Sequence, residues 1–381
     1  MNTKVKVDFQ NLEVTNRDLL PELEVAAARV LRSGRYINGP EVAALEKEIA
    51  ALCGARFCVA VSTGLDALRL IFRGYMEKGF LKKGDEVIIP ANTFIASFLA
   101  VTDCGLTAVA ADVDPITFGL DFSRLPLSDK TRAVLAVHLY GTPCWSREVF
   151  SDLHSKGILI IEDNAQAIGA LSADDGFHGS RSTGNLADAA AISFYPAKNI
   201  GAFGDAGAVL TNDSELASIV RQLANYGSKE KYLHTLCGLN CRMDEMQAAL
   251  IGVKLPLLPI IIRERNRRAR LYNELITNPE VVKPAIIPGA IQVWHQYVVR
   301  HPRRDALRRH LSEGGVTTEI HYPVACHRQE CYAGHPGLKL YSPLPVAEAL
   351  AGEILSLPIA DATDAEIRRI SRLINEFHTT Q

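Results

Sequence analysis

Short apolar runs alternate with amphipathic stretches over the first two thirds of the chain. Runs at Phe57–Val61, Glu86–Ile89, Thr107–Ala111, Ala133–Val137, Ile158–Ile161, Ala189–Phe194 and Ala208–Leu210 predict strands. Many are apolar at consecutive positions, as strands covered on both faces are. The segments between them carry helical spacing. In Leu65–Gly79, the residues Leu65, Leu68, Leu70, Ile71 and Tyr75 make one apolar stripe. Strand and helix in alternation predict an α/β domain with a mostly parallel seven-stranded sheet sandwiched by helices.

After Asp213 the pattern changes. Glu215–Tyr226, Asp244–Leu255 and Arg263–Leu275 read as helices, with Pro256 and Pro259 expected to kink or break the join between the last two. From Pro279 onward shorter strands and helices alternate: Val293–Arg300 as a strand, Asp305–Gly314 as a helix, Thr317–Tyr322 as a strand and Thr363–Phe377 as a helix. This predicts a smaller α+β C-terminal domain. The expected organisation is an N-terminal segment (1–45) packing on the small domain, a large α/β domain (46–255) and the small domain (256–381).

Charge narrows the partners. Lys+Arg is 41 against Asp+Glu 43, a net charge of −2, so nothing in bulk electrostatics draws the chain to nucleic acid or an anionic membrane. The longest strongly apolar run, Leu255–Ile262, falls far short of the roughly 20 residues a membrane helix needs. Residues 1–12 show no signal-peptide core, and the expected location is cytoplasmic. Eight cysteines are present, none in a CxxC pair. Cys237 and Cys241, or Cys326, His327 and Cys331, are looser than the knuckles of structural zinc sites, so free thiols and no metal are expected.

Two strand ends concentrate the chemistry. Ile160-Ile161-Glu162-Asp163-Asn164-Ala165-Gln166-Ala167 closes one apolar run on acidic residues, and Ser193-Phe194-Tyr195-Pro196-Ala197-Lys198-Asn199 closes another on a turn leading to a lysine. Open α/β sheets place their ligands at such carboxyl ends. An Asp, a Ser and a Lys in one crevice suit a cofactor with a ring nitrogen, a phosphate and an aldehyde, which describes pyridoxal 5′-phosphate (PLP). Asp163 would keep the ring nitrogen protonated, Lys198 would take the aldehyde as a Schiff base and shuttle a proton, and Gln166 would donate to the ring oxygen. Val61-Ser62-Thr63-Gly64-Leu65 opens a helix whose N-terminal amides favour a phosphate, although any βα unit begins in this way. Alone, Asp163 also reads as a helix cap and Lys198 as a solvated charge; their order and context make the pair specific.

The sequence resembles the DegT/DnrJ/EryC1/StrS family of PLP-dependent sugar aminotransferases over nearly its whole length. The resemblance is carried by Arg32–Glu41, Gly64-Leu65-Asp66-Ala67-Leu68, Pro90–Ala96, Asp112-Val113-Asp114-Pro115, His138-Leu139-Tyr140-Gly141, Glu162–Gln166, Ser193–Asn199 with Gly204–Ala208, Asn225–Ser228 and Gly238–Asp244. It implies the aspartate aminotransferase-like fold type I. It makes Lys198 the Schiff-base lysine and sets Asp163 on the pyridine nitrogen and Gln166 on the phenolic oxygen. By the same resemblance Phe94 would stack on the ring and Gly64, Leu65 and Ser193 would hold the phosphate. Asn240 would reach the phosphate from the other subunit of a homodimer.

The pattern has departures. Leu65 stands where many members have Thr, removing one hydroxyl from the phosphate, and Ala197 replaces a common Gly. Some relatives are dehydratases with His in place of the lysine; Lys198 points to transamination. The implied reaction passes the amino group of an amino acid, L-glutamate above others, to a nucleotide-linked keto-deoxy sugar by a ping-pong route. The Ser193–Gly207 segment looks most like members acting on 3-keto sugars such as dTDP-3-keto-6-deoxyhexoses. A 4-keto substrate, or a regulator that binds PLP or a sugar nucleotide without turnover, are the alternatives. Candidate substrate contacts are His321 and Tyr322, and Tyr232 and His234 across the dimer.

Overall fold

Each apolar run forms a strand in the structure, a computed structural model that describes residues 6–173, 179 and 181–378. The strands are β1 (Phe57–Val61), β2 (Glu86–Pro90), β3 (Thr107–Ala111), β4 (Thr131–Val137), β5 (Leu159–Asp163), β6 (Ala189–Ser193) and β7 (Gly207–Thr211), then β8 (Ser228–Glu230), β9 (Leu233–His234), β10 (Tyr297–Arg300), β11 (Leu338–Lys339) and β12 (Ile354–Leu357). The helices are α1 (Leu12–Asn16), α2 (Leu20–Ser33), α3 (Pro40–Cys53), α4 (Gly64–Glu77), α5 (Ile95–Asp103), α6 (Arg147–Ser155), α7 (Ser214–Ala224), α8 (Glu245–Lys254), α9 (Leu258–Leu275), α10 (Arg304–Glu313), α11 (Pro345–Glu353) and α12 (Asp364–Glu376).

The main sheet has the order β1-β7-β6-β5-β4-β2-β3-β11. Only β7 runs against its neighbours, pairing antiparallel with both β1 and β6. The sheet thus has eight strands rather than the expected seven. The extra strand, β11, pairs Leu338 and Lys339 in parallel with Ala108 and Val109. A strand of this length shows no alternation, so the hydrophobic pattern does not reveal it.

Helices cover both faces. On one, α4, α5 and α7 bury Leu70, Ile71, Phe98 and Leu223 against the sheet. On the other, α3 and α8 bury Leu45, Ile49 and Ile251, and α6 adds Phe150 and Leu153. This double cover is why the central strands are apolar at successive positions. Local chemistry sets the helix ends. Thr63 caps α4 by accepting from the Asp66 amide, and Thr363 and Glu366 form a reciprocal capping box on α12.

The C-terminal part packs α9, α10 and α12 on the antiparallel pair β10–β12. Tyr272 stacks on Tyr297 there, ring centroids 4.7 Å apart. Val7 attaches to this layer through a parallel bridge to Val316. The rest of the N-terminal segment behaves differently: α2 lies on α8, with Ala26 and Val30 against Ala249.

Thr317–Tyr322 is not a strand, contrary to expectation; Glu319 alone bridges to Ser356, after which the chain turns its side chains into the cleft described below. At the join of α8 and α9 the prolines interrupt the α-helix, as expected, but only briefly. Leu255–Leu257 is a single 3-10 turn, and Pro259 sits in the first turn of α9, where a missing N–H leaves no bond unmade. The resulting stretch Glu245–Leu275 is long and apolar enough to cross a membrane by length and composition. Here it serves the core: Ile251, Leu255 and Leu258 pack under the sheet. The buried Lys254 and Arg265 within it donate to the carbonyls of Gly201 and Trp294.

Candidate active site

The pairing directions bring four chain segments to one sheet edge. The carboxyl ends of β1, β5 and β6 point the same way, and the antiparallel β7 begins beside them. A cleft of about 680 Å³ opens at this edge. Sequence spacing alone separates Gly64, Asp163 and Lys198 widely; this topology brings all three to its lining.

Asp163, the last residue of β5, is buried. Its Oδ2 accepts from the Ser97 hydroxyl at 2.8 Å and its Oδ1 from the Ala165 amide at 3.2 Å. Thr93 Oγ1 lies 2.9 Å from Ser97 Oγ. Since the Ser97 proton goes to the carboxylate, Thr93 donates in turn. The carboxylate is therefore aimed by a hydroxyl relay from the start of α5.

Lys198 follows β6 and is half-buried at the cleft floor. Its amide donates to the Tyr195 carbonyl at 2.8 Å, closing the turn through Pro196. Asn199 anchors the next position, its Nδ2 donating to the Val293 carbonyl at 3.0 Å. Loss of hydration pulls the Lys198 ammonium down from 10.5 to about 8, with Asp163's charge acting the other way. Two histidines share the cleft. Burial, and then the Lys198 charge, bring His321 down to about 4. Burial, Lys198, Arg265 and His321 hold His295 well below the usual range. Both rings are therefore neutral near pH 7, which leaves Lys198 as the cation on the cleft's described lining.

Gly64 opens α4 beside Ser193. A Cβ on Gly64 would lie 2.7 Å from Ser193 Cβ, and one on Gly207 would lie 2.4 Å from the Thr63 carbonyl carbon. Glycine at both positions lets the α4 N-terminus approach the Ser193 hydroxyl closely. First-turn amides have no partner within their helix, so this corner is a cradle for an anion. Leu65 turns its side chain to the core and leaves its backbone to the cradle.

Gln166 Oε1 accepts from the Tyr140 amide at 2.6 Å, which fixes the amide's orientation. Its Nε2 then donates to the Tyr322 hydroxyl at 3.2 Å. Phe94 stands at the N-cap of α5, 51% exposed, with its ring 5.3 Å from that of Tyr322. An aromatic in an apolar stretch is usually core; this one faces the cleft.

The cleft gathers Gly64, Leu65, Phe94, Asp163, Gln166, Ser193, Lys198, His321 and Tyr322 of the residues singled out in the sequence. Asn240, Tyr232 and His234 do not line it. Tyr232 is 84% exposed at the β8–β9 turn, and His234 is tied to the Tyr226 carbonyl by its Nδ1 at 2.9 Å. Asn240 is exposed and bridges to Asn225. Sequence reasoning missed Ser97, His295, Phe9 and Gln10, all of which line the cleft or hold its groups. His295 lay inside a run read only as a strand, and Ser97 has no motif of its own.

The donor set fits PLP: a held carboxylate for a pyridine N–H, a glycine-cleared amide and hydroxyl cradle for the phosphate, and an amine of lowered pKa for the aldehyde. Fold and cleft together define a PLP-dependent aminotransferase of fold type I. The chain belongs to the DegT/DnrJ/EryC1/StrS aminotransferase family, whose model matches residues 19–375.

Among its relatives is the erythromycin biosynthesis sensory transduction protein EryC1 of Saccharopolyspora erythraea, 43% identical, the match covering 93% of this chain and 94% of that one. The dTDP-3-amino-3,4,6-trideoxy-alpha-D-glucose transaminase of Streptomyces venezuelae is 42% identical, the match covering 93% of this chain and 91% of that one. The crystal structure of S. venezuelae DesV in complex with a ketimine intermediate superposes with a TM-score of 0.91 at 40% identity, covering 97% of this chain and 98% of that one. NtdA of Bacillus subtilis, solved with bound pyridoxamine phosphate, gives a TM-score of 0.82 at 27% identity, covering 98% of this chain and 85% of that one.

Proposed function

We propose that this aminotransferase moves the amino group of L-glutamate to a dTDP-linked 3-keto-6-deoxyhexose, in two half-reactions at a site completed by a second copy of the chain. The observation that carries the reading is the meeting of Lys198 and Asp163 in one cleft beside the Gly64–Ser193 cradle. The sugar class follows the names of the relatives, which include transaminases for dTDP-3-amino sugars.

Bound PLP supplies an electron sink for the carbon that exchanges nitrogen. Asp163, held by Ser97, keeps a proton on the ring nitrogen. Lys198 Nζ, which gives up its proton far more readily than an ordinary lysine, takes a proton from one carbon and returns it to another. Gln166 Nε2 donates toward the ring oxygen, and Phe94 covers the ring face. The Gly64 and Leu65 amides and the Ser193 hydroxyl bind the phosphate, joined by Asn240 of the partner subunit. His321 and Tyr322 face the sugar, and Tyr232 and His234 of the partner subunit close it from outside. In this reading residues 46–255 form the cofactor-binding domain, 256–381 the small domain, and 1–45 a segment shared between them.

The test is product analysis. Glutamate-treated enzyme, freed of excess amino acid, is offered dTDP-3-keto-6-deoxyglucose and its 4-keto isomer separately. Amination at C3, read by mass spectrometry and NMR, is expected. Amination of the 4-keto isomer alone, or of neither, contradicts the assignment.

A further inference from the structure

The cleft has a wall that belongs to neither strand edge. Val7 is buried and pinned on both sides: its amide donates to the Gly315 carbonyl at 2.9 Å, and its carbonyl accepts from the Thr317 amide at 2.9 Å. Four residues on, the Asn11 amide donates to Asp361 Oδ2 at 2.8 Å. Between these tethers the chain crosses the cleft, and Phe9 and Gln10 line it. Phe9 lies 5.7 Å from the His321 ring, tilted by 35°. Gln10 Nε2 reaches the Ala197 carbonyl at 3.5 Å, the outer limit of a hydrogen bond. Its Oε1 carries no hydrogen bond among the described residues.

We propose that this strap forms the acceptor-sugar wall, with Gln10 hydrogen-bonding a sugar hydroxyl and Phe9 packing on the sugar's deoxy edge. The proposal rests on the keto-sugar reading above. Gln10 and Lys198 line the same cleft, and the Gln10 amide rests on the residue before Lys198, so a sugar whose carbon exchanges nitrogen at Lys198 shares the cleft with the strap. A neutral amide with a strained donor and a free acceptor matches a hydroxyl, which both donates and accepts. The weak Ala197 contact is easily exchanged for a shorter one. A 6-deoxy sugar also presents a methyl group, and an aromatic ring beside the amide is the complement to it. The phosphate and pyridine ends of the cleft are supplied from the sheet edge instead, so the strap is left to the group that enters last.

The experiment is calorimetric titration of PLP-loaded enzyme with two probes, dTDP and dTDP-3-amino-3,6-dideoxyglucose. In Gln10→Ala the amino sugar nucleotide binds about tenfold more weakly, as the loss of one hydrogen bond implies, while dTDP binds as in wild type. Phe9→Leu, which keeps an apolar group and guards against a folding defect, shows a smaller loss of the same kind. Equal amino sugar affinity in wild type and Gln10→Ala overturns the proposal. A matching fall in the rate of the glutamate half-reaction also overturns it, marking Gln10 as a support for the Lys198 turn. Failure of the wild type itself to bind the sugar nucleotide sinks the keto-sugar reading together with the strap, and is told apart because no variant is needed to see it.

Discussion

The Ser97 hydroxyl and the Asp163 carboxylate are joined by a 2.8 Å hydrogen bond that links the first turn of α5 to the end of β5. Both groups are buried. A hydrogen bond to a charged group contributes about 1.5–3 kcal/mol. Ser97→Ala is therefore expected to lower kcat or PLP affinity by roughly 10- to 100-fold, with little change in fold because one oxygen is removed. Steady-state kinetics and PLP titration of the variant check this; unchanged values for both would show that Asp163 needs no such aim.

Lys198 should titrate far below an ordinary lysine. Desolvation disfavours its charged form and holds the ammonium near 8 rather than 10.5. Competitive labelling of cofactor-free protein with acetic anhydride, read by peptide mass spectrometry, should give a reactivity midpoint near 8. Because Asp163's charge favours the ammonium, Asp163→Asn should move the midpoint further down. A midpoint at the ordinary value, or an upward move in the variant, would contradict the electrostatics described.

Much of this architecture is legible in residue order. The strands from Phe57 to Leu210 show themselves because a doubly covered sheet makes consecutive positions apolar. Asp163 and Lys198 are legible because each ends such a run. The rest depends on contacts that local patterns do not encode. Leu338–Lys339 becomes a strand only because the β3 edge is open to it. Pro259 extends a helix rather than ending one because it falls in the first turn of α9. Ser97 acquires its role only when β5 is placed beside α5, and Gln10 only when Val7 is pinned to residues 315–317.

Asn240 lies outside the cleft of its own chain, so the phosphate contact proposed for it would have to come from a second copy. Complementation tests this. Lys198→Ala and Asn240→Asp, the latter setting a like charge against the phosphate, should each be nearly inactive alone. Mixed after dissociation, the two variants form dimers in which one of the two sites has both native residues. Roughly a quarter of wild-type activity is then expected from random pairing. Absence of recovery, with dimers confirmed by sedimentation, would mean that each chain completes its own site.

The central claim is that Lys198 holds PLP and that Asp163 makes the ring an acceptor for an amino group. The visible spectrum of the purified protein with PLP, before and after L-glutamate and beside Lys198→Ala, tests it most directly. Wild type is expected to show a band of lysine-bound cofactor that glutamate bleaches and that the variant lacks. A wild type with no such band, or a variant with the same band, would contradict it.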